Sequence, residues 1–262
     1  MSSDSDRRLA LFARGLPTMS MLDLVGILTG GVPGPGPLPV PAGIARALDL
    51  PARRRELASR FSWAIPSPAA LGLIADHGPI LEVGAGTGYW ASLLAPLTDV
   101  VATDIAPGVN PYHRDGHTWF PVAAMPAVAA VHAYPGRTLL LCWPPPDDDA
   151  AGYAAVRAYR GDTVLLIGGD EDGPVGTARL HRELELNWTV TDELALPWWP
   201  GIPDRLTVWA RNGQRRPLRV RDRCPSCRRF IPTGTFALCD RCAAVPASRH
   251  AYSTARGRTG EG

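Results

Sequence analysis

ILEVGAGTGYW, residues 80–90, decides how the rest of this 262-residue chain is read. Ile80–Val83 has the length and composition of a short buried strand, and it carries an acidic residue, Glu82, near its end. Gly84, Gly86 and Gly88 follow at alternate positions. Glycine there lets the backbone turn sharply and lets a ligand approach without a Cβ in the way. A helix from Tyr89 would then open with free N–H groups beside that turn. A second acidic residue, Asp104, closes the next apolar run, Val100–Thr103, twenty positions after Gly84. A carboxylate in that place can accept both ribose hydroxyls of an adenosine ligand.

Outward from this stretch the chain alternates apolar strands and helices. A third strand is expected around Trp119–Val122 and a helix from about Ala127 to His132. Thr138–Cys142 is an apolar run that stops abruptly at WPPP. A helix over Ala150–Ala158, a strand at Thr163–Ile167 and a helix over Thr177–Leu186 continue the rhythm. Thr189–Leu196 and Leu206–Ala210 then read as two strands with no helix between them. The pattern predicts an α/β, Rossmann-like, doubly wound and mostly parallel seven-stranded sheet with an antiparallel hairpin at one edge. Residues 1–60 read as N-terminal helices and a Pro/Gly-rich linker, GGVPGPGPLPVPAG, and residues 61–211 as the main domain.

Dinucleotide enzymes carry G-x-G-x-x-G, whose third glycine allows close packing near a pyrophosphate. Here that position is Tyr89, and the spacing is G-x-G-x-G. The pattern E-x-G-x-G-x-G resembles motif I of the class I S-adenosylmethionine-dependent methyltransferases, and the stretch Phe61–Ala210 as a whole resembles bacterial methyltransferase-like proteins. The resemblance implies S-adenosyl-L-methionine as cofactor. It implies that the Gly84–Gly88 loop, Ala85 included, faces the methionine portion and that Asp104 holds the ribose. Glu82 and Ile105 complete the implied cofactor set, and the closing antiparallel hairpin is typical of the same family.

Ligands of open α/β sheets sit beyond the carboxyl ends of the strands. There the run CWPPPD, residues 142–147, resembles the (D/N/S)-P-P-Y motif of amino-group methyltransferases. Pro144 and Pro145 match its prolines, whereas Trp143 stands where that family has a polar residue and Pro146 where it has Tyr. The implied reaction-side residues are Trp143, Pro144, Pro145 and Asp147. The acidic run Asp147–Asp149 reads either as a base or as a cap opening a helix. His113 and His117 read either as cleft residues or as ordinary loop residues. Arg60–Pro66 has the position of a lid. Trp198 and Trp199, with Arg205, would either bind an aromatic or anionic substrate or cover the sheet edge.

Cys224, Cys227, Cys239 and Cys242 form C-x2-C–x11–C-x2-C. Two such turns can complete a tetrahedron of thiolates, which favours a structural zinc, or iron, over disulfides in a chain without an export signal. A zinc-ribbon-like element is therefore expected over residues 220–243 and a disordered basic tail over 244–262. From Arg211 onward twelve Arg face three acidic residues, so this end is strongly basic within an overall charge of +2. It predicts attraction to nucleic acid or to a protein partner through electrostatics alone. No apolar run approaches the ~18–20 residues of a membrane span, so a cytoplasmic protein without membrane partners is the expectation. Two functions stay open at this point. One is a methyltransferase acting on an unidentified small molecule, protein or RNA, and the other a non-catalytic cofactor-binding or zinc-tethered interaction protein.

Overall fold

The computed structural model describes residues 4–15, 20–47, 49–113, 116–169 and 174–213. The four-cysteine element and the basic tail lie outside the described residues. Seven strands build the sheet: β1 (Ile80–Val83), β2 (Val100–Asp104), β3 (Val122–Ala124), β4 (Thr138–Cys142), β5 (Thr163–Gly168), β6 (Trp188–Ala195) and β7 (Arg205–Arg211). Their order is β3-β2-β1-β4-β5-β7-β6. The first five are parallel, and β7 is antiparallel to both β5 and β6. The antiparallel pair at the edge follows from the short connection between β6 and β7, which holds no crossover helix.

Helices cover both faces, so the central strands are buried on both sides and read as unbroken apolar runs. Every residue of β1 and β5 is buried. Alternate residues go to opposite faces. Leu81, Val83, Leu139, Leu141, Val164 and Leu166 meet α7 (Ala127–Ala133), α8 (Gly152–Ala158) and α9 (Ala178–Asn187) in one core. The helix α5 (Pro68–Ala75) opens at a Ser-Pro pair, Ser67 and Pro68. Ser67 caps it by accepting the Ala70 N–H at 3.2 Å, with Pro68 in the first turn. Thr177 caps α9 in the same way through Leu180.

The N-terminal region forms α1 (Asp4–Gly15), α2 (Met21–Thr29), α3 (Ala42–Ala47) and α4 (Leu50–Arg60). Together they enclose a second core of Phe12, Met21, Leu24, Leu28, Ile44 and Leu57, to which Tyr89 and Trp199 of the sheet domain belong. The Pro/Gly-rich stretch between α2 and α3 is extended. Its Gly36 and Pro37 pair in parallel with Pro197 and Trp198 of the β6–β7 connection. Among the described residues, no helix is long and apolar enough to cross a membrane.

Candidate functional site

The chain leaves β1 in one direction for β2 and β3 and returns to the other side for β4 and β5. The strand order therefore reverses between β1 and β4, and the carboxyl ends of the strands beside such a reversal are where open α/β sheets bind ligands. The residues singled out by sequence converge on this reversal. Glu82 stands in β1, Asp104 ends β2, Cys142 ends β4, and the Gly84–Gly88 loop runs from β1 into α6 (Tyr89–Leu94).

All three loop glycines lie in the left-handed region, with φ of 72°, 55° and 70° at Gly84, Gly86 and Gly88. They are not equivalent. A Cβ on Gly86 would lie 2.4 Å from His113 Nε2, and one on Gly88 would lie 2.8 Å from the Val122 side chain. A Cβ on Gly84 would meet nothing within 4 Å. Gly86 and Gly88 thus make room for the protein's own packing, whereas Gly84 borders open space.

The Asp104 carboxylate ties the loop down. One oxygen accepts the Gly86 N–H and the other the Ala106 N–H, both at 2.8 Å. Each carboxylate oxygen retains a further acceptor position. Ile105 beside it is 75% exposed, an apolar side chain left facing solvent. His113 is buried against Gly86 and bonded through Nδ1 to the Ser59 carbonyl at 2.8 Å. His117 is exposed and meets Trp119 edge-on.

Glu82 is buried, and its Oε2 has no hydrogen-bond partner among the described residues. Burial pushes its pKa up to about 8, against the pull of a backbone hydrogen bond from Ala91. Glu82 is therefore neutral at pH 7. Between the ordinary glutamate pKa and pH 8 the unfolded chain gives up a proton that the folded chain keeps. The side chain's contribution to stability therefore declines as pH rises, by up to about 1.4 kcal/mol per pH unit, and levels off above 8. The expected result is that Glu82→Gln gains stability relative to wild type on going from pH 5 to pH 8. Urea midpoints at those two values measure it. A difference between the proteins that does not change with pH would mean that Glu82 is not held neutral.

The segment after α4 crosses the ends of β1 and β4. The Phe61 carbonyl accepts the Thr87 hydroxyl at 2.6 Å, and Ser62 Oγ accepts the Trp90 indole N–H at 2.8 Å. The Arg60 carbonyl accepts the Trp119 indole N–H at 2.8 Å. Tyr89 packs on Phe61 and Trp119, and its hydroxyl accepts the Met21 N–H at 3.3 Å. Its bulk thus goes to the N-terminal core. Tyr89, standing where a dinucleotide fingerprint has its third glycine, gives its ring to the protein's own packing.

On the β4 side, Trp143 has φ 52°, an unusual value for a bulky residue. Its indole N–H donates to Asp204 Oδ1 at 2.9 Å, and its ring stacks on Trp63 with centroids 5.6 Å apart. Pro144 is buried, and its carbonyl accepts the Gly176 N–H at 2.7 Å. Pro145 is half-buried beside it. Asp147 is exposed and accepts the Tyr112 hydroxyl at 3.4 Å. Asp148 accepts the Ala150 N–H at 2.8 Å, and Asp149 accepts the Thr177 hydroxyl and pairs with Arg179, so all three carboxylates of the acidic run are bonded within the protein. The Cys142 thiol is pushed well above its ordinary range, first by burial and then by Glu82 and Asp204, which makes it a poor nucleophile.

Sequence reading did not single out Arg54 or Asp204. Asp204 is 1% exposed, and burial pushes its pKa up to about 7 against the Trp143 hydrogen bond and the Arg54 charge. An Asp in a run of Pro and Trp just before a strand was the available signal. Arg54 lies among three consecutive arginines of α4, where nothing local distinguishes it from its neighbours.

No protein-family model matches the sequence, and no curated protein does. Among solved structures, the chain is similar to a protein of the NADB-Rossmann superfamily from Streptococcus agalactiae, at 15% identity over 56% of this chain and 69% of that one, with a TM-score of 0.37. It is also similar to the 23S rRNA methyltransferase ErmE, at 17% identity over 59% of this chain and 71% of that one, TM-score 0.37. A third is TrmN from Thermus thermophilus, at 20% identity over 54% of this chain and 47% of that one, TM-score 0.36. At these TM-scores the likeness carries nothing about activity. The Rossmann-like assignment rests on the chain's own strand order.

Proposed function

We propose that the chain is an S-adenosylmethionine-dependent methyltransferase. The observation that carries the reading is the arrangement around the sheet's reversal point. There a left-handed glycine with open space before it, an unpartnered buried carboxyl and a loop-anchoring Asp sit on adjacent strand ends. The groups present fit the cofactor. Gly84 allows close approach of a ligand to the backbone. Asp104 keeps acceptor positions for two vicinal hydroxyls, and Ile105 offers apolar surface for a base. Glu82 can partner the amino group of the methionine portion once it gives up its proton.

When bound, the cofactor supplies an electrophilic methyl group on a sulfonium centre. What the protein contributes to such a transfer is alignment of the acceptor and exclusion of water, which can lower the barrier substantially without a strong acid or base. Ser62 is bonded to Trp90 and lies 4.0 Å from the Cys142 sulfur, and Trp63 stacks on Trp143, so the Arg60–Pro66 segment is held where it could exclude water from the reacting groups. On this reading Cys224, Cys227, Cys239 and Cys242 hold a structural zinc whose four thiolates leave no open coordination position. The basic residues around them serve attachment to nucleic acid or protein, not chemistry.

A second reading, a cofactor-binding protein without transfer activity, draws on Pro144. Its carbonyl already gives one of its two acceptor positions to the Gly176 N–H, and Trp143 supplies no side-chain acceptor beside it, so less is left to orient an acceptor amine than in the (D/N/S)-P-P-Y motif.

Calorimetric titration with S-adenosylhomocysteine tests the cofactor assignment. Micromolar binding is expected for wild type and at least a tenfold loss for Asp104→Ala, about 1.4 kcal/mol. Asp104→Asn should keep part of the affinity, because its amide oxygen can still accept the Gly86 N–H. No binding by folded wild type would end the methyltransferase reading.

A further inference from the structure

We propose that Trp63, Trp143 and Asp204 form a binding site for an organic cation on the substrate, for which the Arg54 guanidinium competes. The guanidinium carbon of Arg54 lies 5.0 Å from the centre of the Trp63 ring and 5.3 Å from that of Trp143. Two indole faces around one cation are the arrangement by which proteins hold guanidinium and quaternary ammonium groups. Yet Arg54 is poorly served there. Its Nε and Nη2 are buried without a hydrogen-bond partner among the described residues, and burial lowers its pKa against the attraction of Asp204. Asp204 is in the matching condition. One of its oxygens accepts the Trp143 indole N–H, while Oδ2 is buried without a partner.

A cation and a carboxylate that are close but not bonded leave unmet most of the interaction that would offset their burial. A free ligand, not constrained by the backbone of α4, can place its N–H groups on Asp204 Oδ2 while keeping the indole contacts. Arg54 then moves out to water on its flexible stem. The surroundings favour a cation over an anion. Tyr112 meets Trp63 edge-on and donates to Asp147, and Asp148 is a further exposed carboxylate on the same stretch.

The site also adjoins the candidate cofactor pocket. Both Glu82 and Asp204 raise the Cys142 pKa, so the two carboxyls flank the end of β4. The positive φ of Trp143 is the backbone price of presenting its indole to both Trp63 and Asp204. That the cation belongs to the substrate rests on the methyltransferase reading; the cation site itself does not.

The test is titration of the full chain with n-butylguanidine, its neutral isostere n-butylurea and the anion pentanoate, read by calorimetry and tryptophan fluorescence. Removal of a competing internal cation should make Arg54→Ala bind butylguanidine at least tenfold tighter than wild type, with little uptake of butylurea. Adding Asp204→Asn should abolish that gain. Arg54→Gln keeps much of the stem and serves as the second variant if Arg54→Ala does not fold. Equal binding of butylguanidine and butylurea would overturn the proposal. So would pentanoate binding that requires Arg54, which would make the arginine a recognition group for anions. Titrating the same samples with S-adenosylhomocysteine separates the two readings. Cofactor binding without butylguanidine binding removes the cation site alone, and the reverse removes the methyltransferase assignment alone.

Discussion

Gly84→Ala is expected to leave the protein folded and to weaken binding of S-adenosylhomocysteine by about a hundredfold, roughly 2.7 kcal/mol. The two halves of this expectation have separate causes. A Cβ at position 84 meets no atom within 4 Å, so the protein's own packing is undisturbed. The cost in stability is that of holding a non-glycine residue at φ 72°, about 1–2 kcal/mol. The space that the methyl group enters is the space a ligand would need. Gly86→Ala is the contrast. Its Cβ collides with His113, which is itself held by the Ser59 carbonyl, so overpacking of about 1–3 kcal/mol is added to the same backbone strain. Urea unfolding and calorimetry on the two variants should therefore separate stability from affinity. Equal loss of stability in both, or unchanged affinity in Gly84→Ala, would remove the reason for calling the Gly84 side of the loop a ligand cradle.

What sequence made legible follows the range of the interactions involved. The strands of the sheet, the caps at Ser67 and Thr177 and the glycine loop are set by residues within a few positions of one another. Their periodicity and turn chemistry could be read directly, except at β3, where the strand expected around Trp119–Val122 runs over Val122–Ala124 instead. The edge hairpin was legible because a connection too short for a crossover leaves only the antiparallel option. Glu82 and Asp104 could be singled out because the one lies next to the end of β1 and the other ends β2, both beside the loop. The cluster on the β4 side was not legible. Arg54, Trp63, Trp143 and Asp204 come from four separated segments, and no local pattern marks them as neighbours. Pairing of the Pro/Gly-rich stretch with Pro197–Trp198 is of the same kind. An extended segment without periodicity says nothing about what it will lie beside. The surroundings of Tyr89 were hidden for the same reason, since the core that receives its ring is assembled from Met21, Ile44, Leu57, Phe61 and other residues of separate N-terminal segments.

Trp199→Ala is expected to destabilise the protein by about 3–5 kcal/mol, the range for removing a large aromatic from a core. The adjacent Trp198→Ala should cost under about 1 kcal/mol. Sequence left two roles open for this pair, substrate contact or cover for the sheet edge, and burial assigns Trp199 to packing. Trp199 is 1% exposed and belongs to the core shared by α1, α2, α3 and α4, whereas Trp198 is only partly buried. The Trp199 indole N–H has no hydrogen-bond partner among the described residues, so its contribution comes from packing alone. Trp199→Phe should therefore recover most of the loss, since no hydrogen bond is forfeited and only part of the volume is missing. The consequence reaches the candidate site. The Gly36 N–H and Leu38 N–H donate to the Leu196 and Trp198 carbonyls at 2.9 and 2.8 Å, fastening the β6–β7 connection to the N-terminal segment. Asp204 lies at the far end of that connection, where its carbonyl accepts the Leu196 N–H at 3.1 Å. Emptying the Trp199 position loosens the frame that holds Asp204 against Trp143. Trp199→Ala should thus weaken butylguanidine binding in the Arg54→Ala background even at temperatures where the chain is fully folded. A Trp199→Ala protein with wild-type stability would mean that the N-terminal helices do not close over the sheet edge through this residue.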